Sequence, residues 1–318
     1  MAYSCSFNTE IKIFSGSANE DFTKNMCRHL GIEPGKSEVM KFSDGNTFVK
    51  IHETLRDKDV YIVQTIGMDP NNEFMELLFW IDAFKRASAS TVTAIIPYFS
   101  YAKGDKKDEP RVSIRARVCA DCIEVTGADR VLTMDLHSPQ IQGFFKKPVD
   151  HLQSMEILCN RLRAMGLKDI VVVSPDTGFA KTARKFASCL NGSVAIGDKT
   201  RKDHTEKAEV LDIIGDVEGK TAVLVDDFTI SCGTLIDAAR VLKSRGAARI
   251  VACVTHSLLR EDAVLRLEDS PIEKLLVTDT VDNPFISTSS KIEVVSVAEY
   301  FANAVKIIHE RKSLSDIF

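Results

Sequence analysis

Two adjacent carboxylates followed by a short polar loop are the groups in this chain best suited to chemistry. They lie in residues 221–235, TAVLVDDFTISCGTL, where the apolar run 222–225 predicts a buried strand and a helix is expected to start near Thr234. The first turn of such a helix directs unpaired N–H groups at the loop, so we expect a phosphate there. Asp226 and Asp227 would then face sugar hydroxyls or a divalent cation, although aspartates that only cap a turn are the alternative.

Two further predicted strand ends carry polar side chains. The segment 133–145, TMDLHSPQIQGFF, places Asp135 and His137 two apart in an irregular stretch, where both can point toward a cation or a nucleotide phosphate. The segment 170–178, IVVVSPDTG, ends in Asp176, which is either a ligand or a helix N-cap. Ligands of doubly wound sheets collect at the carboxyl ends of strands, which favours a functional interpretation of these positions.

Two basic segments offer positive charge for phosphates. Residues 101–111, YAKGDKKDEPR, follow a predicted strand, and their lysines could neutralise a polyphosphate. Residues 197–210, GDKTRKDHTEKAEV, lack apolar periodicity and lie between two predicted strands, which indicates a flap. Lys199 and Arg201 in that flap could supply positive charge to the transition state of a phosphoryl transfer.

Composition restricts the class of protein. The chain has 318 residues, 44% hydrophobic and 27% charged, which is typical of a globular protein with two domains. A net charge of -4, with basic residues spread along the chain, argues against a nucleic-acid partner. No membrane span or secretory amino terminus is recognised, so we expect a cytoplasmic protein whose eight cysteines stay reduced. Cys119 and Cys122 are expected on one helix face rather than in a zinc site.

Alternating apolar runs and amphipathic segments must position these groups. The alternation predicts an α/β protein with two doubly wound parallel-sheet domains, residues 1–148 and 149–318, joined near Pro148, with the last helix packing on the first domain. Strands are predicted at 11–14, 60–64, 92–97, 130–134, 170–174, 194–197, 222–225, 250–255 and 274–277, and helices at 73–87, 114–126, 155–165, 179–190, 235–245 and 298–311.

Several blocks together resemble the ribose-phosphate diphosphokinases, also called phosphoribosyl pyrophosphate (PRPP) synthetases, of the phosphate-regulated class. The resemblance runs along essentially the whole chain and implies two α/β domains of the phosphoribosyltransferase type, assembled as hexamers built from dimers. The blocks are FSDGN (42–46), NNEFMELLFWIDAFKRASA (71–89), IPYFSYAKGDKKDEPR, GADRVLTMDLHSPQIQGFF, VDHL, VVVSPD, IGDV (214–217) and the closing SLSDIF.

The resemblance also implies a reaction and its residues. The 1-hydroxyl of ribose 5-phosphate would attack the β-phosphorus of Mg-ATP, giving PRPP and AMP for nucleotide biosynthesis. Lys199 would be the catalytic lysine, with Arg201 beside it. The residues implied to bind ribose 5-phosphate are Asp226, Asp227, Ile230, Ser231, Cys232, Gly233 and Thr234. The residues implied to bind ATP are Lys103, Gly104, Asp105 and His137, with Phe42, Asp44 and Asn46 from a neighbouring subunit. The residues implied to bind Mg²⁺ are His137, Asp176 and Asp135.

Six residues, at four places in the chain, depart from the family pattern. Ile230 and Ser231 stand where the family usually has Asp and Thr, and Lys103-Gly104 stands where Arg-Gln is expected, which removes a bidentate fork. Asn46 stands where the family often has Glu, and Lys146 replaces a common acidic residue after QGFF, so a second cation site is not expected at Lys146. These changes leave open the reaction rate, nucleotide preference and sugar affinity.

Two other functions compete with this one. A non-catalytic relative that binds active subunits is favoured by Ile230 and Gly104, and a phosphoribosyltransferase that consumes PRPP would share the loop and the fold. The blocks assigned to ATP count against the second of these. The closing segment matches the family's Ser-x-Ser at Ser313 and Ser315, which implies regulation by phosphate and ADP, although a frayed terminus is the alternative.

Overall fold

A computed structural model of the chain describes residues 10–198 and 212–317. These divide into two compact units. Met1–Leu152 and Ala298–Phe318 form what we call the N-terminal unit, and Gln153–Val297 form the C-terminal unit. Each unit has a largely parallel sheet and several helices, so the expected α/β fold is confirmed.

The sheet of the N-terminal unit has five strands, all parallel, in the order β1-β4-β5-β6-β7. Because β7 pairs with β6, the chain leaves this sheet only after Leu152. A separate antiparallel hairpin is formed by β2 and β3. The bounds are β1 (Ile11–Ser15), β2 (Ser37–Lys41), β3 (Thr47–Ile51), β4 (Asp59–Val63), β5 (Thr91–Ile96), β6 (Arg130–Met134) and β7 (Val149–Leu152).

Four helices belong to this unit: α1 (Glu20–Leu30), α2 (Pro70–Arg86), α3 (Arg115–Thr126) and α8 (Ala298–His309). Helices α2 and α3 bury apolar side chains against one face of the sheet, in a core that includes Phe14, Trp80 and Ile123. The carboxyl-terminal helix α8 packs on α1, where the rings of Phe22 and Phe301 meet edge to face with centroids 5.4 Å apart.

The C-terminal unit has a seven-stranded sheet in the order β10-β9-β8-β11-β12-β13-β14, parallel except for the edge strand β10. The chain passes from β8 to β9 on one side and then returns to place β11 on the other side of β8. The direction of strand order therefore reverses between β8 and β11, which is the point where doubly wound sheets open a crevice for ligands. The strands are β8 (Ile170–Ser174), β9 (Ser193–Asp198), β10 (Asp212–Ile214), β11 (Thr221–Thr229), β12 (Arg249–Ser257), β13 (Lys274–Thr278) and β14 (Ile292–Val295).

Helices cover both faces of this second sheet. One face packs on α4 (Met155–Ala164) and α5 (Ala180–Leu190), and the other packs on α6 (Gly233–Ser244) and α7 (Glu261–Glu268). All of the predicted strands and helices are present, with ends that move by a few residues. The elements that sequence analysis missed are α1, α7, β7, β10, β14 and the β2–β3 hairpin.

One boundary is wrong in a way that matters for function. The sequence predicts a strand that ends at Val225, just before Asp226 and Asp227, but β11 continues to Thr229. Its pairing with β12 continues through Asp226 and Phe228, because the parallel partner supplies hydrogen bonds that polar side chains do not disturb. Both aspartates are therefore held by the sheet rather than by a loop.

Candidate functional site

Three carboxylates meet at the point where the second sheet reverses its strand order. Asp226 and Asp227 lie in β11, and Asp176 follows the neighbouring strand β8. Burial raises the pKa of Asp226 well above its usual range, and the negative charges of Asp227 and Asp176 raise it further. The site thus concentrates negative charge that a cation or a set of hydroxyl donors would stabilise.

Local hydrogen bonds fix the position of each of these carboxylates. Oδ1 of Asp226 accepts the backbone N–H of Asp227 at 3.0 Å, and Oδ1 of Asp227 accepts that of Phe228, also at 3.0 Å. Oδ1 of Asp176 accepts the N–H of Gly178 at 2.9 Å and that of Phe179 at 3.3 Å, just before α5. Oδ1 of Asp176 therefore caps the turn that leads into α5.

The loop from Ile230 to Thr234 connects β11 to α6 and has a left-handed turn at its centre. Cys232 has φ = 58°, and its side chain is buried beneath α6. Burial raises the pKa of its thiol to about 12, so Cys232 packs as a neutral side chain and not as a nucleophile. Oγ of Ser231 accepts the N–H of Gly233 at 3.3 Å, while Ile230 is 44% exposed at the tip.

Helix α6 begins at Gly233, and Cys232 at its N-cap position makes no side-chain capping hydrogen bond. Its first turn also lacks an acidic residue. An uncapped helix start leaves backbone N–H groups and the positive end of the helix dipole available to an anion. The loop and the helix start together have the character of the phosphate cradle that the sequence predicts.

The polar residues that follow β6 lie in the N-terminal unit. Asp135 has φ = 38°, and its backbone N–H donates to the carbonyl oxygen of Leu152 at 3.0 Å. The N–H of Leu136 donates to Nε2 of His151 at 2.8 Å, so the imidazole holds the backbone between Asp135 and His137. Burial lowers the pKa of His151, and the charge of Asp135 opposes that effect. Sequence analysis did not identify His151, which lies in β7.

The segment predicted to bind the nucleotide begins with a short 3-10 turn, Ser100–Lys103, after β5. Gly104 is buried, and its carbonyl oxygen accepts the backbone N–H of Ala116 in α3 at 3.1 Å. Lys103 and Asp105 on either side are half-buried. This segment is thus fixed to the start of α3 by main-chain bonding.

The hairpin carries the remaining residues predicted to bind ATP. The N–H of Phe42 donates to the carbonyl oxygen of Asn46 at 2.8 Å, and Asp44 accepts the N–H of Asn46 at 3.0 Å. The backbone and side-chain amides of Asn46 lower the pKa of Asp44. Phe42 is 53% exposed, and its ring centroid is 5.9 Å from that of Phe48. An exposed aromatic ring beside a carboxylate is suited to stacking on a flat base, which supports the prediction for Phe42.

Other predicted residues lie elsewhere. Lys199 and Arg201 lie outside the described residues. Ser313 and Ser315 form a small turn near the carboxyl terminus, with their hydroxyl oxygens 2.7 Å apart. Within residues 10–198 and 212–317, no three His, Cys, Asp or Glu side chains are grouped so as to hold a metal ion. In the same described ranges, every helix is too short or too polar to cross a membrane.

Comparison with known proteins gives a consistent result. The model of the N-terminal domain of ribose phosphate pyrophosphokinase matches residues 11–127, and the model of the phosphoribosyl synthetase-associated domain matches residues 204–318. A ribose-phosphate pyrophosphokinase of Caldanaerobacter subterraneus is 47% identical over 98% of this chain and 99% of its own. That of Fusobacterium nucleatum is 40% identical over 97% of this chain and 98% of its own.

A solved structure shows the same fold. The crystal structure of phosphoribosylpyrophosphate synthetase from Mycobacterium smegmatis superposes with a TM-score of 0.89 at 33% sequence identity. The match covers 95% of this chain and 100% of that one. Both units of the present chain are therefore represented in the matched structure.

Proposed function

The chain belongs to the ribose-phosphate pyrophosphokinase family, and we propose that it carries out that family's reaction with the residues assembled at its strand ends. The enzyme transfers the β,γ-diphosphoryl group of ATP to the 1-hydroxyl of ribose 5-phosphate, which gives PRPP and AMP. The bond between the sugar O1 and the β-phosphorus forms as the bond from that phosphorus to the α-phosphate oxygen breaks. The observation that carries this proposal is the 47% identity over 98% of the chain to a ribose-phosphate pyrophosphokinase.

Ribose 5-phosphate binds to the C-terminal unit. Its 5-phosphate lies at the uncapped start of α6 and accepts hydrogen bonds from backbone N–H groups and from the hydroxyls of Ser231 and Thr234. Asp226 and Asp227 accept hydrogen bonds from the ribose hydroxyls. Ionised carboxylates are strong acceptors for two neighbouring hydroxyls, so the pair orients the sugar ring and its reacting oxygen.

ATP binds to the N-terminal unit. Lys103 supplies positive charge to the phosphates, Asp105 and His137 complete the contacts, and Phe42, Asp44 and Asn46 of a neighbouring subunit enclose the base. The exposed apolar side chains of that hairpin, Met40, Phe42 and Phe48, favour such a contact between subunits. A homo-oligomer, a hexamer built from dimers, is part of this proposal.

We propose that carboxylates at the reversal of strand order bind Mg²⁺. Burial first, and then the negative charges of Asp227 and Asp176, raise the pKa of Asp226, and carboxylate oxygens are ligands that Mg²⁺ accepts. Mg²⁺ uses one or two protein carboxylates together with phosphate oxygens, which agrees with a site of few protein ligands. Asp176 would supply the ligand in the C-terminal unit, and Asp135 and His137 those in the N-terminal unit. When bound, the metal neutralises charge on the phosphates.

Lys199 and Arg201 donate hydrogen bonds to the oxygens on which charge develops as the diphosphoryl group moves. Ser313 and Ser315 contribute to a site for phosphate as activator and ADP as inhibitor. The cytoplasm is the compartment proposed for the enzyme.

The proposal is tested by identifying products after incubation with Mg-ATP and either ribose 5-phosphate or ribose. Phosphorus NMR should show a diphosphate ester at C1 and equimolar AMP with ribose 5-phosphate, and far less product with ribose, because ribose lacks the phosphate that the α6 loop binds. A folded protein that binds both substrates and makes neither product would favour the alternative, a regulatory relative that associates with active subunits.

A further inference from the structure

The side chain of Arg115 occupies the space beside Gly104. Arg115 is the first residue of α3, and a Cβ atom built on Gly104 would lie 2.5 Å from Nε and 2.9 Å from Cβ of Arg115. Both distances are shorter than a carbon atom can occupy without displacing its neighbour. The backbone of Gly104 has φ = -99°, a value open to any residue, so the close approach of Arg115 is what requires glycine here.

The charge of Arg115 is not balanced where the structure describes the chain. Arg115 is exposed and makes no ion pair with any residue in 10–198 or 212–317. The first turn of α3 has no acidic residue, and Ile114 at its N-cap position provides no side-chain hydrogen bond. A cation in the first turn is unfavourable, because that end of the helix dipole is already positive. An anion bound beside Arg115 would offset this cost.

Arg115 is also next to the segment proposed to bind ATP. The hydrogen bond from the N–H of Ala116 to the carbonyl oxygen of Gly104 fixes the start of α3 against Lys103-Gly104-Asp105. The segment has a lysine at position 103, which is a point charge, whereas a guanidinium can bind two phosphate oxygens at once. Arg115 therefore places a guanidinium, which is suited to bidentate recognition of a phosphate, directly beside Gly104.

We propose that Arg115 binds the phosphate chain of ATP beside Lys103, and that Gly104 is a glycine because its missing side chain makes room for Arg115. This inference rests on the proposed nucleotide site. It assigns to Arg115 a ligand contact, and to Gly104 a positioning role that acts through Arg115.

The first test measures the equilibrium binding of ATP by calorimetry, with Mg²⁺ present. Arg115→Ala should weaken ATP binding about tenfold or more and leave adenosine binding unchanged, because only ATP carries phosphates. The ATP affinity of Arg115→Lys should lie between those of the unsubstituted protein and Arg115→Ala, since lysine keeps the positive charge but loses the bidentate guanidinium. Arg86→Ala, which removes an exposed arginine paired with Asp82 on α2, is the matched control and should not change either affinity.

A double-mutant cycle tests the role of Gly104. Gly104→Ala should also weaken ATP binding, and the double variant Gly104→Ala/Arg115→Ala should bind no worse than Arg115→Ala alone, because Gly104 acts through the displaced arginine. Losses that multiply in the double variant would overturn the positioning role. If one of the variants Arg115→Lys, Arg115→Ala and Gly104→Ala folds poorly, the remaining variants still test the contact between Arg115 and ATP.

These outcomes are separable from those of the proposed function. Unchanged ATP affinity in Arg115→Ala, or an equal loss for ATP and adenosine, would overturn the inference whether or not the enzyme turns over. If Arg115→Ala weakens ATP binding as predicted but the unsubstituted protein forms no AMP, the proposed function is contradicted and the inference about Arg115 stands. If the unsubstituted protein bound no ATP, both would be overturned.

Discussion

The backbone N–H of Leu136 donates a hydrogen bond of 2.8 Å to Nε2 of His151. This bond requires Nε2 to be free of a proton, so the imidazole is neutral in the folded protein. It connects β7 to the segment that carries Asp135 and His137. A residue that touches no proposed substrate thus holds the segment that presents two residues of the nucleotide site.

The stability of the protein should depend on pH through His151. Burial lowers the folded pKa of His151, whereas the unfolded chain titrates near ~6.5. Between those two values the unfolded state binds more protons, so this contribution is complete above ~6.5 and is lost as pH falls through ~6.5 toward the folded pKa. Melting temperatures of His151→Gln should fall less steeply between pH 7.5 and 5.5, roughly the window set by these values.

The control for that prediction is His29→Gln, which changes an exposed histidine of α1. Its melting temperature should follow that of the unsubstituted protein at each pH. If His151→Gln also followed it, the neutral state of the buried imidazole would be contradicted.

The carboxylate of Asp226 should lower the free energy of unfolding of the ligand-free protein and should strengthen the binding of ribose 5-phosphate. Burial and the neighbouring carboxylates raise its pKa, which shows that its charge is unfavourable in the free protein. Asp226→Asn should therefore raise the free energy of unfolding by about 1 kcal/mol without ligands, and raise the KM for ribose 5-phosphate at least tenfold. Asp237→Asn, at a half-buried position of α6, is the control and should change neither quantity appreciably. A destabilised Asp226→Asn would contradict the account of this carboxylate cluster.

Ile230 should limit the affinity for the sugar phosphate. It is an apolar residue, 44% exposed, at a position where related enzymes usually have Asp. Ile230→Asp restores an acceptor for a ribose hydroxyl and should lower the KM for ribose 5-phosphate about threefold to tenfold, with the KM for ATP unchanged. Leu265→Asp makes the same kind of change at an exposed position of α7 and should leave both constants unaltered. An increase in the KM for the sugar would show that the extra charge disturbs the site instead.

A buried carboxylate should be important for stability in the N-terminal unit. Glu76 accepts the backbone N–H and hydroxyl of Ser17 at 2.8 and 2.5 Å, and Nε1 of Trp80 at 3.2 Å. Glu76→Ala leaves three donors without this acceptor and should lower the free energy of unfolding by about 3 kcal/mol in urea denaturation. Asp82→Ala, on the exposed side of the same helix, should change it by less than about 0.5 kcal/mol. Equal effects of the two substitutions would contradict this assignment.

The sequence predicts most of the sheet because its buried strands are continuous apolar runs. Residues 130–134 and 170–174 are predicted to the residue. The hairpin is missed because β2 and β3 contain only half-buried and exposed residues and carry charges, so they lack a core pattern. The extension of β11 through Asp226 and Asp227 is missed because pairing with β12, which depends on tertiary structure, outweighs the polar side chains.

The candidate site also combines residues that the sequence predicts with residues that only tertiary contacts reveal. Motif order and residue type are enough to predict that Asp176, Asp226 and Asp227 belong to one edge of a sheet, because each follows or ends an apolar run. The roles of His151 and Arg115 depend on contacts between residues distant in the chain or across a loop, and no spacing rule indicates them. A histidine in a segment interpreted as a domain junction gave no signal of function.

The most direct test of the central claim measures AMP release from Mg-ATP, with and without ribose 5-phosphate, for the unsubstituted protein, Lys199→Ala and the control Lys243→Ala, an exposed lysine of α6. The account predicts AMP formation that requires ribose 5-phosphate, falls at least a hundredfold in Lys199→Ala, on the order of the loss of one transition-state contact, and is retained in Lys243→Ala. AMP formation independent of ribose 5-phosphate, or undiminished in Lys199→Ala, would contradict it.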